Sequence, residues 1–401
     1  MPWQEQSQMS LRHEFVTLAD ADGANIRELC RRYGISPTTG YKWLTRYRAE
    51  GVDGLTDRSR RPHRSPNQTD PAMETRVVEL RDAYPAWGSR KLSMVLARQD
   101  HAPSPPRDDP VPSPSTITRV LHRHDRIDLA ESAKHTAWQR FEHAQPNDLW
   151  QMDFKGHVAL GTGRCHPLLI LDDHSRFLVG VFACDNEQET TVQTHLTAVF
   201  RHYGLPRHLL TDNGAPWGVP QAPDRLTTLG AWLLRLGVEP WHGRIRHPQT
   251  QGKVERVNRS FKAEVCWPYQ FADLPASQTG FDAWRDRSNL IRPHEALGLD
   301  VPASRYQPSP RPFPEVLPPP EVLPPIEYGA DDIVRKVHGS GQIRYRNQEW
   351  YVGQALLRQP VALRPTAEDG VLDVVYCHVT IRQINLRQTA QDPLHSPSTS
   401  S

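Results

Sequence analysis

Cysteine is scarce, with five residues in 401 (Cys30, Cys165, Cys184, Cys266 and Cys377), an odd number without any Cys-x-x-Cys spacing. A disulfide framework and a thiolate zinc site are therefore not expected. The nineteen histidines contain no His-Glu-x-x-His or comparable ligand spacing, so no zinc is expected from them either. Long apolar runs are missing as well: none reaches the ~18 residues needed to cross a bilayer. The start, Met-Pro-Trp-Gln-Glu-Gln, has neither the basic opening nor the apolar stretch of a secretory signal, which leaves a cytoplasmic chain with no membrane partner as the expectation. An overall excess of one charge is absent too, since 48 basic and 46 acidic residues leave only +2.

The local charge is less even. Between Arg27 and Arg64 there are ten Arg or Lys residues and four acids, a local excess of +6. Such a face suits a polyanion, nucleic acid first, although a solvated basic helix and tail fits the count equally well. Proline is abundant, 37 of 401 residues, and clustered, with six between Pro103 and Pro114 and ten between Pro302 and Pro325. Because proline fixes φ and lacks a donor, both clusters read as extended linkers. The second contains a tandem hexapeptide, Pro-Glu-Val-Leu-Pro-Pro at 314–319 and 320–325, read as a semi-rigid spacer.

Residues 10 to 50 are expected to form three helices. Asn25 with Glu28 has the form of a capping box, and Gly34 ends that helix. Ser36 can cap the next, Pro37 suits its first turn, and Trp43, Leu44 and Tyr47 make an inward stripe up to Gly51. Two short helices joined by Tyr-Gly-Ile-Ser match a helix-turn-helix, with Thr38, Thr39, Lys42 and Arg46 facing outward for the major groove. The basic arm at 58–64, with Arg58, Arg60, Arg61 and Arg64, can neutralise phosphates beside it. From Asp70 to Asp128 the pattern repeats loosely, with a helix through Val77 and Leu80 and another begun near Ser115, and reads as a second helical DNA-binding unit.

After Pro146 the texture changes. Strands are expected at Trp150 to Lys155, Pro167 to Leu171, Phe177 to Cys184, His208 to Thr211 and Val238 to Trp241, with helices at Thr190 to Tyr203 and Leu226 to Leu236. Three adjacent strands followed by alternating helices and strands indicate a mixed α/β sheet. Beyond the proline spacer, short β-like stretches with glycine turns suggest a small barrel.

Three carboxylates stand out. Asp153 lies mid-strand in an apolar run, Asp212 ends a strand at Thr-Asp-Asn-Gly, and Glu255 lies one turn into a helix. Brought together they would repel unless a cation bound them; Mg²⁺ is the natural occupant, with Mn²⁺ a substitute, because it takes a few carboxylate oxygens and completes its octahedron with water and phosphate. Two such ions ~4 Å apart can serve an in-line phosphoryl displacement. On the Glu255 helix, Val254, Val257, Phe261 and Val265 form an apolar stripe, while Arg259 and Lys262 share the face of Glu255. Each acid also has a plain reading: Asp153 as an edge-strand residue, Asp212 as the closure of an Asx turn, and Glu255 as an i, i+4 partner of Arg259. Asp172 and Asp173 fall at a strand end, where turn capping is expected.

The motifs Gln-Met-Asp-Phe-Lys at 151–155, Leu-Asp-Asp-His-Ser-Arg-Phe at 171–177, Thr-Asp-Asn-Gly at 211–214, His-Pro-Gln-Thr-Gln-Gly-Lys-Val-Glu-Arg at 247–256 and Arg-Pro-His-Glu-Ala-Leu-Gly at 292–298 resemble the integrase core of bacterial insertion-sequence DDE transposases, relatives of retroviral integrases. The resemblance extends upstream through the helix-turn-helix and Arg-Phe-Glu at 140–142. It implies a ribonuclease H-like core in which Asp153, Asp212 and Glu255 are the catalytic and metal-binding triad. It also implies metal-dependent cleavage at the terminal inverted repeats by water, then attack of the freed 3′-hydroxyl on target DNA. Two features depart from the family: the 43-position step from Asp212 to Glu255 is long, absorbed by a loop at 218–225, and the His-His-Cys-Cys zinc module of retroviral integrases is missing.

The expected architecture is thus multidomain: an α-helical helix-turn-helix region with its basic arm (1–64), a second helical unit (65–130), a linker (131–147), an α/β ribonuclease H-like integrase core (148–300), a proline-rich linker (301–326), a small C-terminal β-barrel (327–386) and a disordered tail (387–401). Lys253, Arg256, Arg259 and Lys262 join the N-terminal residues as expected DNA contacts. Double-stranded DNA, element ends and target alike, is the expected partner, and handling two ends calls for a homodimer or higher synaptic assembly at the bacterial nucleoid. A regulator that kept only its helix-turn-helix would have a broken triad, and a stand-alone hybrid nuclease would need no upstream reading domain.

Overall fold

The computed structural model describes residues 7–58, 69–98, 110–127, 142–212, 214, 216–218, 226–242, 252–314 and 326–387. Arg60, Arg61, Arg64, His247, most of the 131–147 linker, most of the loop at 218–225, the hexapeptide repeat from 315 onward and the tail beyond 387 lie outside them. Among the described residues no helix is long and apolar enough to cross a membrane. The chain divides into two units, Met1–Gln68 and Thr69–Ser401.

The first unit is three helices, α1 (Gln8–Ala19), α2 (Ile26–Arg32) and α3 (Pro37–Glu50), followed by a short 3₁₀ turn. Their starts follow the expected chemistry. Asn25 accepts from Glu28 N at 3.2 Å and Ser36 from Thr39 N at 3.2 Å, each satisfying an amide that a helix start leaves orphaned. Phe15, Val16, Cys30, Trp43 and Leu44 form the buried centre.

In the second unit, helices α4 (Pro71–Ala83), α5 (Ser89–Arg98) and α6 (Pro114–Arg123) enclose a core of Val77, Trp87, Leu92, Ile117 and Val120. The α/β body follows, with strands β1 (Leu149–Phe154), β2 (Val158–Ala159), β3 (Arg164–Asp172), β4 (Leu178–Cys184), β5 (His208–Thr211) and β6 (Glu239–His242). Its path runs β2-β3-β1-β5-β6, with β4 also on β3. Strands β1, β3 and β4 pair antiparallel, while β5 and β6 extend the sheet in parallel. This is the mixed α/β sheet expected from the pattern of strands and helices.

Strand alternation sends side chains to two helical layers. Trp150, Met152, Leu168 and Ile170 face a cluster that includes Val192, Leu196 and Phe200 of α7 (Glu189–Tyr203) and Leu229 and Leu233 of α8 (Thr228–Arg235). Leu169, Leu171, Leu178 and Val181 face Phe261 of α9 (Gly252–Phe261) and Phe281 and Trp284 of α10 (Leu274–Leu290). The sheet is therefore covered on both faces, and β1 is a central strand rather than an edge.

Two expectations need correction. The C-terminal strands exist, as β7 (Ile333–Lys336), β8 (Gln342–Tyr345), β9 (Gln348–Tyr351), β10 (Pro360–Pro365), β11 (Val371–Tyr376) and β12 (Val379–Asn385). They form an open four-stranded sheet, β12-β11-β10-β7, beside a two-stranded hairpin, and no barrel closes among the described residues. One reason is that Leu363, Val374 and Tyr376 share a cluster with Ala231 and Leu234 of α8, so apolar surface is covered by a helix instead of by closure. Second, the first half of the supposed proline spacer is a strap on the core. Tyr306 stacks on Phe177 with ring centroids 4.2 Å apart, Phe313 is buried, and Arg311 donates to Pro206, Leu236 and Gly237 carbonyls.

The strap fixes the turn that leads into β5. Leu205 N donates to Arg311 O and Ser309 N to Tyr203 O, both at 2.7 Å. Gly204 sits between them at φ +77°, where a Cβ would lie 2.7 Å from Ser309 O and 2.8 Å from Arg311 O. Gly204→Ala is expected to cost about 1–3 kcal/mol, from left-handed strain plus overpacking. Thermal denaturation should show a fall of several degrees; an unchanged midpoint would mean the strap can leave this turn freely.

Candidate active site

Gln151 and Asp153 share the face of β1 that α9 covers, two residues apart. Gln151 Oε1 accepts from Val254 N at 3.2 Å, meeting an orphan amide of the α9 first turn. One helical turn on, Asn258 Nδ2 donates to Asp153 Oδ2 at 2.6 Å. These two rungs set α9 on the strand, and Glu255 is carried between them.

Asp212 arrives from the neighbouring strand. Strands β1 and β5 pair in parallel as Leu149 with His208 through Gln151 with Leu210, so continuing that register by two residues sets Asp212 beside Asp153. His242 on β6 approaches both Thr211 Oγ1 and the Asp212 carbonyl at 3.3 Å. The Asp212 carboxylate closes an Asx turn through Gly214 N at 3.0 Å, as its plain reading expected, yet the residue is exposed and still acts on Asp153.

The electrostatics tie the three acids together. Burial, then the charge of Asp212, raise the Asp153 carboxyl to about 6, with a smaller push from Glu255; the Asn258 hydrogen bond and Lys155 act in the opposite direction. Among the described residues no three acidic, histidine or cysteine side chains converge closely enough to hold an ion. The strand register brings Asp153 and Asp212 side by side, while Glu255 is exposed on α9 and acts on Asp153 through its charge. The set fits Mg²⁺ in donor chemistry, since that ion takes hard carboxylate oxygens and the charges of Asp212 and Glu255 both disfavour an ionised Asp153.

The neighbouring acids are in a different condition. Asp172 accepts from Asn147 N at 2.7 Å, Ser175 N at 2.8 Å and Ser175 Oγ at 2.6 Å, which is the expected capping role. Asp173 does not cap a turn. It accepts from His143 N at 3.0 Å, Gln151 Nε2 at 2.7 Å and Lys253 Nζ at 2.5 Å. Lys253, expected on DNA, is therefore turned inward, its side chain 18% exposed against an Asp173 that is 1% exposed. It holds the first turn of α9 to the β3 end.

Arg256 and Arg259 of α9 and Lys262 just past its end are exposed, and Glu255 forms no ion pair with Arg259 among the described residues. Past α9, a π-helical turn (Lys262–Cys266) places Glu264 against Arg292 Nη1 at 2.6 Å and Trp284 Nε1 at 2.9 Å. That buried pair gives Arg292 of the Arg-Pro-His motif a structural duty. In the first unit Thr38 and Lys42 are exposed on α3. Arg46 lies partly over the Trp43 ring, and Arg58 pairs with Glu50. Thr39 is half-buried with its hydroxyl 2.9 Å from Ser36 Oγ, so it serves the cap instead of facing outward.

Sequence reasoning missed Gln151, Asp173 and Asn258 as parts of the site. Gln151 and Asn258 had a signal, since Gln151 and Asp153 interrupt an otherwise apolar β1 and Asn258 falls on the apolar stripe of α9 between Val254 and Phe261.

Sequence families place these elements. An integrase core domain matches residues 143–248 and a further integrase core pattern matches 236–302. A helix-turn-helix domain matches 12–63, a homeodomain-like domain 39–121, and the C-terminal domain of IS481 family transposases 332–392. An uncharacterized 39.2 kDa protein of insertion element IS476 from Xanthomonas euvesicatoria is 27% identical over 65% of this chain and 72% of its own length. A 31.7 kDa protein of insertion element IS407 from Burkholderia multivorans is 23% identical over 59% of this chain and 82% of its own. The HTLV-2 integrase catalytic core, solved with magnesium, aligns at 15% identity over 41% of this chain and 99% of its own, with a TM-score of 0.31. The resemblance read from the motifs is borne out: the chain carries helix-turn-helix domains, an integrase core and a transposase C-terminal domain.

The raised Asp153 carboxyl has a consequence for stability. Its folded pKa of about 6 exceeds the ordinary 3.8, so the native state holds a proton that the unfolded chain releases. Stability therefore falls as pH rises from about 4 to 6 and stays lowered above that. In chelator, Asp153→Asn is expected to raise the melting temperature at pH 8 and to bring no gain at pH 4. An equal effect at both pH values would deny Asp153 its anionic surroundings.

Proposed function

We propose that the protein is a DNA transposase that binds the ends of an insertion sequence and transfers strands at a carboxylate site formed by Asp153, Asp212 and Glu255. The observation that carries this reading is the contrast between the buried Asp172 and Asp173 and the half-buried Asp153. Among the described residues Asp172 and Asp173 each accept three hydrogen bonds, whereas Asp153 accepts one, from Asn258, and is pushed up by the charges of Asp212 and Glu255. Satisfied buried carboxylates are structural; a half-buried one raised by the charges of other carboxylates is suited to a cation and a phosphate.

Asp153, Asp212 and Glu255 would hold divalent metal, Mg²⁺ or Mn²⁺, which when bound supplies charge neutralisation at the phosphate and activation of the attacking oxygen. Asn258 orients Asp153, Gln151 and Lys253 seat α9, and the exposed Arg256, Arg259 and Lys262 attract the DNA backbone towards the acids. Two displacements at phosphorus follow. In the first, a water oxygen bonds to the phosphorus at the element end, the 3′-oxygen leaves and takes up a proton, and the water's proton goes to solvent. In the second, the freed 3′-hydroxyl loses its proton and bonds to a target phosphorus, and the target 3′-oxygen leaves. Each step makes one P–O bond and breaks one.

Element-end recognition is assigned to the helix-turn-helix, through Thr38, Lys42 and Arg46 of α3, with Arg58, Arg60, Arg61 and Arg64 of the arm on phosphates. The task of joining two ends supports an assembly of at least two copies. Support for a catalytic reading over a DNA-binding regulator comes from the retention of all three acids in one electrostatic neighbourhood.

Asp153→Asn is expected to abolish Mg²⁺-dependent nicking and strand transfer on labelled element-end duplexes, a loss of at least about 10³-fold, while gel-shift affinity stays within about twofold of wild type. Retained nicking would remove Asp153 from the reaction; loss of binding as well would make its role structural.

A further inference from the structure

Helix α6 repeats α3 at an offset of 77 residues. Both begin with Ser-Pro and continue with a hydroxyl pair: Ser36-Pro37-Thr38-Thr39 and Ser113-Pro114-Ser115-Thr116. In both the serine caps the helix, Ser36 Oγ accepting from Thr39 N at 3.2 Å and Ser113 Oγ from Thr116 N at 3.3 Å. The buried positions also coincide: Gly40, Trp43 and Leu44 on α3 fall on Ile117, Val120 and Leu121 of α6. What remains outward is one matching stripe at i, i+3, i+4 and i+7, namely Thr38, Tyr41, Lys42 and Thr45 on the first helix and Ser115, Thr118, Arg119 and His122 on the second, every one exposed.

Charge separates this stripe from the rest of its bundle. The C-terminal cations near α6 are engaged by α4, with Arg123 on Glu74 at 2.9 Å and Arg126 on Asp82 at 2.8 Å. Arg119 forms no ion pair among the described residues and bonds only to the Thr116 hydroxyl, at 3.3 Å. An uncompensated guanidinium flanked by hydroxyls and an imidazole is the donor set of a major-groove surface: the arginine fork fits guanine O6 and N7, and the threonine methyl fits the thymine methyl.

We infer that α6 is a second DNA-reading helix, whose Ser115, Thr118, Arg119 and His122 contact base edges and phosphates of duplex DNA, so that the element end is read in two blocks. The inference rests on the reading of α3 as a DNA-contacting helix.

The test is selection from a random-sequence duplex pool by the full chain in EDTA, where no strand chemistry proceeds. The wild-type protein is expected to enrich two blocks of base preference. The variant Thr118→Ala/Arg119→Ala/His122→Ala, shown by circular dichroism and melting to fold as wild type, should enrich one block and bind the wild-type-selected duplex about 10-fold or more weakly. Arg119→Lys, a milder change that keeps the charge, should blur preference at a guanine within the same block. Tyr41→Ala/Lys42→Ala should lose the other block, and its failure to do so would strike the α3 premise alone. Should the α6 variants select the wild-type motif with unchanged affinity, the inference is overturned. It is equally overturned if DNA selection is unchanged while the oligomeric state shifts, which would give the stripe to a protein partner. Strand transfer plays no part in any of these readouts.

Discussion

Strand β1 and helix α9 meet through two rungs whose spacing has to agree. Two residues along a strand advance ~6.6 Å, and four along a helix advance ~6 Å. Gln151 to Val254 N and Asp153 to Asn258 can therefore both form, and only with Gln151 and Asp153 on the α9 face. A slip of one residue would turn Trp150 and Met152 towards α9 and bury the two polar groups in the apolar cluster below. The core thus enforces the register, and the register places the acids.

Two carboxylates, the buried Asp173 and the half-buried Asp153, do opposite work at the contact of β1 with α9. Asp173 gathers a backbone amide, the Gln151 amide and the Lys253 ammonium, so its charge is matched and the first turn of α9 is held. Removing one partner from such a set leaves an uncompensated charge and is strongly destabilising. Asp153 is less fully matched, with one hydrogen-bond donor among the described residues and the charges of Asp212 and Glu255 outweighing that of Lys155. The well-satisfied pair supplies the rigidity that lets the poorly satisfied acid persist, a local loss of stability of the kind that functional sites carry.

Much of this was legible in the chain. Helix starts at Asn25 and Ser36, the central strands and the three separated acids follow from capping chemistry, periodicity and the interruption of apolar runs by charge. What was not legible depended on partners far away in sequence. Lys253 reads as a surface cation beside Arg256 and Arg259, and only the arrival of Asp173 from β3 turns it inward. Tyr306 and Phe313 sit among prolines, which hide that their rings pack on Phe177 and the core and convert a spacer into a strap. The expected barrel remained an open sheet because α8 supplies a covering face that strand patterning alone does not reveal.

The central claim, that Asp153 and its anionic neighbours form a cation-binding centre, is tested most directly by titrating Mg²⁺ into chelator-stripped protein at pH 8 and following the melting temperature. Binding to the native state alone raises stability with ion concentration by mass action. The account predicts for the wild-type chain a rise that grows with the logarithm of Mg²⁺ concentration above the dissociation constant and that Asp153→Asn abolishes. A wild-type midpoint indifferent to Mg²⁺, or the same rise in the variant, would contradict it.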